Sequence, residues 1–413
     1  MKRNLITQMK NEWRSNIWLL VELVVVVLAI WTILAVIYAQ TSGLRIPQGF
    51  DPHDVYSLSL HQIPTDSPDY VKFSSDEEST QAYYDDYAEM LRRFRANPNV
   101  EAVSCATGME HYTYNYSGTS LVPANGDSVY FYANRLRAEP DIIDVLRIES
   151  LTGATPAQLK EMLRRGEYLI SDNPAYTEQG RDPMALKGVD MFLGGDTTKT
   201  VRVGDITRRM RRTDYENSFG GSIITPIAEG KAWGNVLIRM KPGRGKAFEQ
   251  EFENNPELRG TRNVYFANLQ SFDNKRFLVQ YSTDTQVRTA VALALFMLIT
   301  IFLGLLGTFW FRMQQRTQEI AIRIVAGAKR GQIFRRIIGE GMILLGVAAF
   351  IGSAIIWPFQ FNGTFNMIGL EWQELLVLEI ISVALVAMGI VLSLWYPARR
   401  AMAIEPAIAI KDE

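Results

Sequence analysis

Four long apolar runs constrain the fold of this chain more than any other feature of its sequence. The runs cover residues 17–39, 286–311, 337–359 and 374–396. A helix of about 20 apolar residues crosses a hydrocarbon core of about 30 Å. Three such helices in residues 286–413 would leave a soluble domain almost no polar helix face. The sequence therefore predicts an α-helical membrane protein with four transmembrane helices. A cleaved signal peptide is disfavoured for the first run, because the run is too long and no A-x-A site follows it.

The distribution of basic residues predicts the orientation of these helices. Residues 312–336 carry seven Lys and Arg residues and residues 1–16 carry four, whereas residues 357–373 carry none. The positive-inside rule places segments rich in Lys and Arg in the cytoplasm. We therefore expect residues 1–16, the link 312–336 and the tail 397–413 to be cytoplasmic, and the block 40–285 and the short loop 360–373 to lie outside.

The outer block reads as a water-soluble α+β domain. It holds 28 basic and 34 acidic residues, and Cys105 is the only cysteine of the chain, so its own core must hold it together without an intrachain disulfide. Residues 53–105 and 233–270 each alternate as strand, helix and strand, and the two predicted helices end near Asn97 and Asn255. Residues 106–232 contain short strands and predict an inserted β-rich subdomain. We expect the two βαβ units to form one layer nearest the bilayer.

No catalytic, cofactor-binding or metal-binding motif is found in the sequence. The segments GGDTTKT and GRGKA fail the phosphate-binding pattern GxxxxGKS/T, so any ATP must be hydrolysed by another subunit. His53, His61 and His111 are too scattered to suggest a metal site, and we expect them on the surface or in turns. The net charge of −1 does not point to nucleic acid.

A cluster of arginines in the outer block has two interpretations. The cluster comprises Arg208, Arg209, Arg211 and Arg212. It is either a patch for an anionic ligand, lipid head group or partner, or a solvated strand end balanced by nearby carboxylates. We favour the second interpretation, because Asp205, Asp214 and Glu216 flank the arginines.

Three carboxylates, Glu22, Glu340 and Glu379, lie within or at the ends of the apolar runs. An ionisable group in a membrane span suggests a proton or ion path. All three lie near the ends of their runs, where a carboxylate reaches the interface or pairs with another helix, and we favour that role. The pairs Gly304 with Thr308 and Ala348 with Gly352 offer close-packing positions for a dimer.

The basic link has the pattern of a short amphipathic helix. Ile320 and Ile324 recur at helical spacing, and Arg316, Glu319 and Arg323 line up on one face. Gly327 and the following alanine predict a break, after which a new helix runs into the third span. From these residues alone, anchoring to anionic lipid and docking of a protein are equally supported.

The same stretch, RTQEIAIRIVAGAKRGQI, resembles the cytoplasmic signature of the MacB/FtsX-like ABC transporter permeases, whose pattern is close to E-I-G-I-R-x-x-x-G-A. Ala321 replaces a frequent glycine. The tail YPARRAMAIEPAIAIK is similar to the end of that family's chains, and PDIIDVLRIESLTG, EYLISDNPAYTEQG and KTVRVGDITRRMRR resemble its periplasmic core domain. The matching signature residues are Glu319, Ile320, Ile322, Arg323, Gly327 and Ala328.

The resemblance implies a permease of the bacterial inner membrane that acts by mechanotransmission. A cytoplasmic ABC ATPase dimer, which binds ATP and Mg, would dock on the link, and the permease would pair with a second copy or a sister permease. The cargo would be hydrophobic, peptidic, a lipoprotein or drug-like, and a periplasmic adaptor and outer-membrane channel would be further partners. The alternative is an ATPase-driven regulator of a periplasmic hydrolase or sensor kinase that transports nothing. The implied docking residues are Arg316, Glu319, Ile320, Ile322, Arg323, Gly327 and Ala328.

Overall fold

The structure, a computed structural model, describes residues 13–113, 117–124, 131–173, 176–177, 180–216, 221–228, 230–315, 317–362 and 370–403. It divides into two compact units, Met1–Ser42 with Thr283–Glu413, and Gly43–Ser282. The helices are α1 Trp13–Thr41, α2 Asp76–Ala96, α3 Ile142–Leu146, α4 Pro156–Arg164, α5 Gly245–Asn254, α6 Pro256–Arg259, α7 Phe272–Gln315, α8 Thr317–Val325, α9 Arg330–Phe361 and α10 Trp372–Ala403. The strands are β1 Val55–Gln62, β2 Val100–Gly108, β3 Gly118–Pro123, β4 Phe131–Ala138, β5 Tyr168–Ser171, β6 Asp190–Leu193, β7 Asp196–Thr207, β8 Gly221–Pro226, β9 Asn235–Met240, β10 Gly260–Thr261 and β11 Val264–Ser271.

The four helices α1, α7, α9 and α10 are long and apolar enough to cross a membrane, which confirms the predicted number of transmembrane helices among the described residues. Their apolar faces meet in a core to which Leu23, Leu305, Leu345 and Ile390 each contribute from a different helix. All four helices extend beyond the apolar runs. Helix α7 alone has 44 residues, which gives a length of about 66 Å and exceeds the thickness of a hydrocarbon core.

The two strand-helix-strand segments of the outer unit interleave. The strand order β11-β1-β9-β2 has antiparallel neighbours throughout, so β9 lies between β1 and β2, and β1 lies between β9 and β11. Helix α2 connects β1 to β2, and α5 connects β9 to β11. Tyr87 and Phe94 of α2 and Phe248 of α5 pack in one buried cluster with side chains of these strands. The parallel strands of each segment are therefore not adjacent.

The ends of these two helices follow from local sequence. The Ser75 side chain accepts a hydrogen bond from the Glu78 backbone N–H at the start of α2, where three acidic residues favour the helix dipole. The C-terminal caps are Asn97 for α2 and Asn255 for α5, each followed by a proline that cannot continue the hydrogen-bond pattern. Both predicted helix ends are confirmed.

The segment between β2 and β9 forms a closed ring of strands. Strand β4 pairs with both β3 and β8, which closes the six strands β4-β3-β6-β7-β5-β8. One buried cluster takes a side chain from every strand of the ring, namely Leu121, Ala133, Ile170, Met191, Ile206 and Ile223. Strand β4 also pairs with β2 at Ala106 to Gly108. The inserted residues therefore continue the same eleven-stranded sheet.

Candidate functional site

Helix α8 is the short helix between α7 and α9, and one of its faces is buried. Ile320 packs with Met313 of α7 and Ile333 of α9. Ile324 and Ala328 pack partly buried against the same cluster. This face therefore holds α8 to the two long helices on either side of it.

The opposite face of α8 presents apolar side chains to solvent. Ile322 is 59% exposed and Val325 is 66% exposed, and the two lie about one helical turn apart. Arg323, between them in sequence, is partly buried. Exposed apolar anchors at helical spacing next to a charged group are typical of a helix that docks into a partner's groove. We call Ile322 and Val325 the exposed face of α8.

The residues that the family resemblance implies for docking therefore differ in their exposure to solvent. Ile320 is buried within the chain, whereas Ile322 is exposed. Glu319 belongs to α8, but its side chain lies outside the described part of the structure, and Arg316 lies outside the described residues altogether.

Gly327 ends α8 where the sequence predicts a break. Its φ of 90° is in the left-handed region that favours glycine. The Gly327 N–H donates to the Ile324 carbonyl at 3.0 Å, and the Ala328 N–H donates to the Arg323 carbonyl at 3.0 Å. These two bonds form a Schellman cap, which satisfies carbonyls at the helix end. The cap fixes the angle at which the chain enters α9.

The three carboxylates of the apolar runs have separate partners. Glu22 of α1 accepts a hydrogen bond from the Thr308 hydroxyl of α7 at 3.2 Å. The Glu340 carboxylate lies 3.5 Å from the guanidinium of Arg336, one turn earlier on α9. Glu379 of α10 accepts hydrogen bonds from Ser353 and, at 3.1 Å, from the Trp357 indole of α9. Glu22 and Glu379 thus each join two neighbouring helices.

The small residues expected at a dimer interface lie against α1 of the same chain. A methyl group added at Gly352 would contact Val27 at 3.6 Å, and one added at Gly304 would lie 3.8 Å from Glu22. Ala348 belongs to the buried core of the four helices. Small side chains let helices approach closely, and Ala348 and Gly352 do so within one chain, whereas Gly304 is exposed. The role of these pairs in a dimer stays a prediction.

The arginine cluster of the outer unit is not one exposed cationic patch, because one of its members is buried. Arg211 is buried, and its guanidinium donates hydrogen bonds to the backbone carbonyls of Ile46, Asp214 and Glu216. Burial lowers the pKa of Arg211, and Asp214 opposes that effect. The other three members have separate partners: Arg208 pairs with Glu149, Arg212 pairs with Glu216, and the Arg209 backbone N–H donates to Asp172.

Arg211 belongs to a network that joins three segments of the outer unit. Its backbone N–H donates to the Gln48 carbonyl at 3.0 Å. Asp214 accepts hydrogen bonds from Gln48 and from Arg276 near the start of α7. Gly49 lies so close to the Arg209 carbonyl that a β-carbon would overlap it. We call Arg211, Asp214, Arg276 and Gln48 the outer clamp, because they connect the chain after α1, the loop after β7 and the start of α7.

A second buried arginine binds the backbone of Asp51 and His53, which follow Gln48 of the outer clamp in sequence. Arg239 of β9 is 1% exposed and donates hydrogen bonds to the carbonyls of Asp51 and His53 at 2.6 and 2.8 Å and to that of Val145 at 2.7 Å. The Asp51 carboxylate lies 3.3 Å from its guanidinium. Burial lowers the pKa of Arg239, and the charge of Asp51 opposes that effect. The sequence reasoning missed this residue, although an arginine within the apolar strand NVLIRM was a signal.

Aromatic rings pack beside the outer clamp. The ring of Phe50, which follows α1, packs tilted against His111 with 4.0 Å between the ring centroids. It meets Phe272, the first residue of α7, edge to face at 6.3 Å. Tyr112 meets Phe272 edge to face at 5.7 Å. The chain segments after α1 and at the start of α7 therefore share one aromatic contact inside the outer unit.

The histidines and the cysteine do not form a reactive site. His53 and His61 are exposed, but His111, in a turn, is 2% exposed, and burial lowers its pKa to about 4. The expectation of a surface or turn position thus missed the burial of His111. Burial also raises the pKa of the Cys105 thiol to about 12, which removes its reactivity as a thiolate. Within the described part of the chain, no group of three His, Cys, Asp or Glu side chains is placed to hold a metal ion.

Comparisons with known proteins show which families and proteins the chain is similar to. Residues 291–406, which include α8, match the family model of the FtsX-like permease C-terminal domain. A macrolide export ATP-binding/permease protein MacB of Vibrio parahaemolyticus is 28% identical over 259 residues, which cover 59% of this chain and 37% of the relative. The probable syringafactin export ATP-binding/permease protein SyfD of Pseudomonas syringae is 25% identical over 204 residues, which cover 48% of this chain and 29% of the relative.

The chain therefore spans well under half the length of these relatives. Among solved structures, the extracellular domain of the ABC-type transporter YknZ from Gram-positive bacteria aligns at 12% identity and a TM-score of 0.31, over 51% of this chain and all of that domain. Residues 291–406 therefore carry an FtsX-like permease C-terminal domain, and the chain is similar to MacB-type export ATP-binding/permease proteins.

Proposed function

We propose that this chain is a permease subunit that couples ATP hydrolysis by a separate ABC ATPase to movement of its outer unit. The observation that carries the proposal is the amphipathic placement of α8. Its buried face is fixed to α7 and α9, and its exposed face offers Ile322 and Val325 to a partner. A partner that moves α8 would move both long helices with it.

The outer clamp supports the mechanical part of the proposal. Displacement is passed on by elements that are packed and hydrogen-bonded rather than by flexible linkers. Arg211 and Arg239 fix the chain after α1 through buried hydrogen bonds, and Asp214 binds Arg276 of α7. The chain after α1 and the start of α7 are therefore both attached rigidly within the outer unit.

The assembly we propose follows from the charge pattern and the family. The termini and α8 face the cytoplasm of a bacterium, the outer unit faces the periplasm, and the ATPase dimer supplies ATP and Mg chemistry that this chain lacks. The permease pairs with a second copy or a sister permease, with an adaptor and outer-membrane channel as further partners. The cargo is hydrophobic, peptidic, a lipoprotein or drug-like, and it stays on the outer side, as the family resemblance implies.

Co-purification tests the docking of the ATPase. The tagged chain, extracted from its native membrane into nanodiscs, is expected to retain an ABC ATPase and ATP turnover. Ile322→Asp, Glu319→Lys and Arg323→Glu are expected to lose both, because each changes the charge at a residue that the family resemblance implies for docking. Gln318→Ala, an exposed neighbour on α8, is the matched control and should retain the ATPase.

Retention of the ATPase by all three variants would contradict the docking proposal. Wild-type chain that retains a periplasmic hydrolase or a sensor kinase together with the ATPase would favour the regulator over the exporter. An adaptor and an outer-membrane channel in the same purification would favour export.

A further inference from the structure

Strand β11 has an outer edge that is open along most of its length. Its inner edge pairs with β1 from Val264 to Ser271. On the outer side, the two-residue strand β10 pairs only with Val264 and Tyr265. No described strand pairs with the outer edge of residues 266–271. Six residues at about 3.3 Å each leave roughly 20 Å of unpaired backbone.

A groove lies along this open edge. It has a volume of about 890 Å³ and lies between β11 and the helices α5 and α6. Strand β11 contributes Tyr265 to Leu269, and the helices contribute an apolar part that includes Phe252 and Pro256. The groove therefore combines free backbone hydrogen-bonding groups with an apolar wall. That is the combination that binds an extended peptide by strand addition.

The edge itself lacks most of the features that prevent strand addition. Natural edge strands are protected by charged side chains, by proline or by bulges. The sequence of β11, VYFANLQS, has no charged residue and no proline. It has one bulge, where Asn268 with a φ of 56° and Leu269 both face Leu58 of β1. The bulge bends the strand but leaves the backbone on either side of it accessible.

The charges at the rim indicate the occupant. Glu249 and Glu253 of α5 and Arg259 of α6 line the groove, so carboxylates outnumber basic groups. Glu253 is exposed, and no ion pair to it is found among the described residues. A second copy of this chain paired through its own β11 would bring two acidic rims together, which is unfavourable. An extended polypeptide with basic side chains would meet opposite charge instead.

We propose that the open edge of β11 and its groove bind an extended, basic polypeptide segment of another protein as an added strand. The site lies on the strand that leads directly into α7, because Ser271 is followed by Phe272. Occupation of the edge would therefore act on the residues that start the longest helix of the chain. The site does not depend on the proposed docking of an ATPase on α8.

Binding is tested with the full chain in nanodiscs and a fluorescent heptapeptide, Lys-Val-Thr-Val-Thr-Val-Lys. The anisotropy titration is expected to show saturable binding and weaker binding of the acidic peptide Glu-Val-Thr-Val-Thr-Val-Glu. The basic peptide is also made with N-methyl groups on either of its two alternating sets of residues. One set faces β11, so one methylated peptide should bind at least about tenfold more weakly than the other, since each lost backbone bond contributes about 1 kcal/mol.

Charge reversal on the rim gives a second readout. Glu253→Lys is expected to weaken binding of the basic peptide about three- to tenfold and to strengthen binding of the acidic one. The matched control is Glu257→Lys, an exposed glutamate of α6 that does not line the groove. It should leave both affinities unchanged. Both variants change exposed side chains, and circular dichroism checks that they fold as the wild type does.

Three results would overturn the proposal. The first is no binding of the basic peptide at millimolar concentration. The second is equal binding of the two methylated peptides, which would show that the backbone edge is not used. The third is that the peptide dissociates a dimer of the chain in light scattering, which would make a second copy the occupant. Because no ATPase is added, failure of the α8 proposal would not alter these results.

Discussion

Three buried ionisable side chains, Arg211, Arg239 and His111, hold together the residues next to α1 and α7 in the outer unit. Burial of an ionic group costs several kcal/mol unless its hydrogen bonds are made. Both arginines satisfy this requirement mainly with backbone carbonyls. Hydrogen bonds from a side chain to backbone carbonyls hold whole chain segments in position, whereas an ion pair holds only two side chains. Of these three residues, only Arg211 belongs to a cluster that the charge pattern of the sequence singles out.

Arg239→Met is expected to destabilise the outer unit strongly. The variant keeps much of the side-chain volume but leaves the carbonyls of Asp51, His53 and Val145 without this donor and removes one of the two arginines that contact the Asp51 carboxylate. Removal of one partner from a buried charged network costs about 3 to 5 kcal/mol, which for a unit of this size lowers Tm by roughly 10 °C. Thermal unfolding followed by circular dichroism measures it. Arg244→Met, at an exposed arginine, is the control and should change Tm little.

His111 is expected to make stability depend on pH. Burial lowers its pKa from 6.5 to about 4, so the unfolded chain binds a proton more readily than the folded one. The stability that His111 provides is complete above pH 6.5 and is lost as the pH falls toward 4. The full effect is about 3 kcal/mol. Urea unfolding at pH 7 and pH 5 should show this loss for the wild type and for His61→Gln, and a smaller one for His111→Phe. Equal pH dependence in all three would exclude His111 as its source.

At the scale of elements, the turn between α8 and α9 decides how the short helix is presented. Gly327 and Gly331 both have free space around the position of a β-carbon. They differ in backbone, since Gly327 has a φ of 90° and Gly331 lies within α9. A side chain therefore strains the first position and is tolerated at the second. The two glycines make a matched pair for testing the turn.

Gly327→Ala is expected to weaken the cap of α8. A left-handed conformation costs a non-glycine residue about 1 to 2 kcal/mol, whereas alanine within a helix is favoured over glycine by about 1 kcal/mol. Hydrogen exchange of full-length chain in nanodiscs should therefore rise in residues 317–329 for Gly327→Ala. It should stay unchanged or fall for Gly331→Ala. If the two variants exchange alike, the turn does not depend on the left-handed residue.

The sequence predicts elements that depend on local chemistry better than those that depend on distant pairing. Apolar runs of membrane length predict α1, α7, α9 and α10, and Asn-Pro pairs predict the ends of α2 and α5. The ring of strands was not predicted, because its closure pairs Ala133 of β4 with Gly221 of β8. No local pattern encodes such a contact. For the same reason, local sequence does not predict that the buried Arg211 guanidinium binds the Ile46 carbonyl, which lies 165 residues earlier.

At the scale of the whole molecule, α7 contributes residues to both units, and α8 follows it after one residue. In the proposed mechanism, a displacement of α8 is passed along the continuous helix α7. Whether the displacement reaches the outer unit depends on how firmly the start of α7 is held. The outer clamp and Phe272 provide that attachment. In the proposed mechanism, docking and transmission are therefore separable, because different residues would provide them.

Asp214→Asn is expected to separate the two steps. The amide keeps the size of the side chain but removes the charge that binds Arg276, while α8 is unchanged. The ATPase should co-purify as with the wild type, in contrast to Ile322→Asp. Addition of ATP with Mg should change hydrogen exchange in residues 43–54 and 208–216 of the wild-type complex, and this change should fall by at least about half in Asp214→Asn, as expected when a buried charged contact is lost. Glu149→Gln, which breaks the exposed pair with Arg208, is the control and should respond as the wild type does. A full response in Asp214→Asn would mean that force reaches the outer unit by a route other than the clamp.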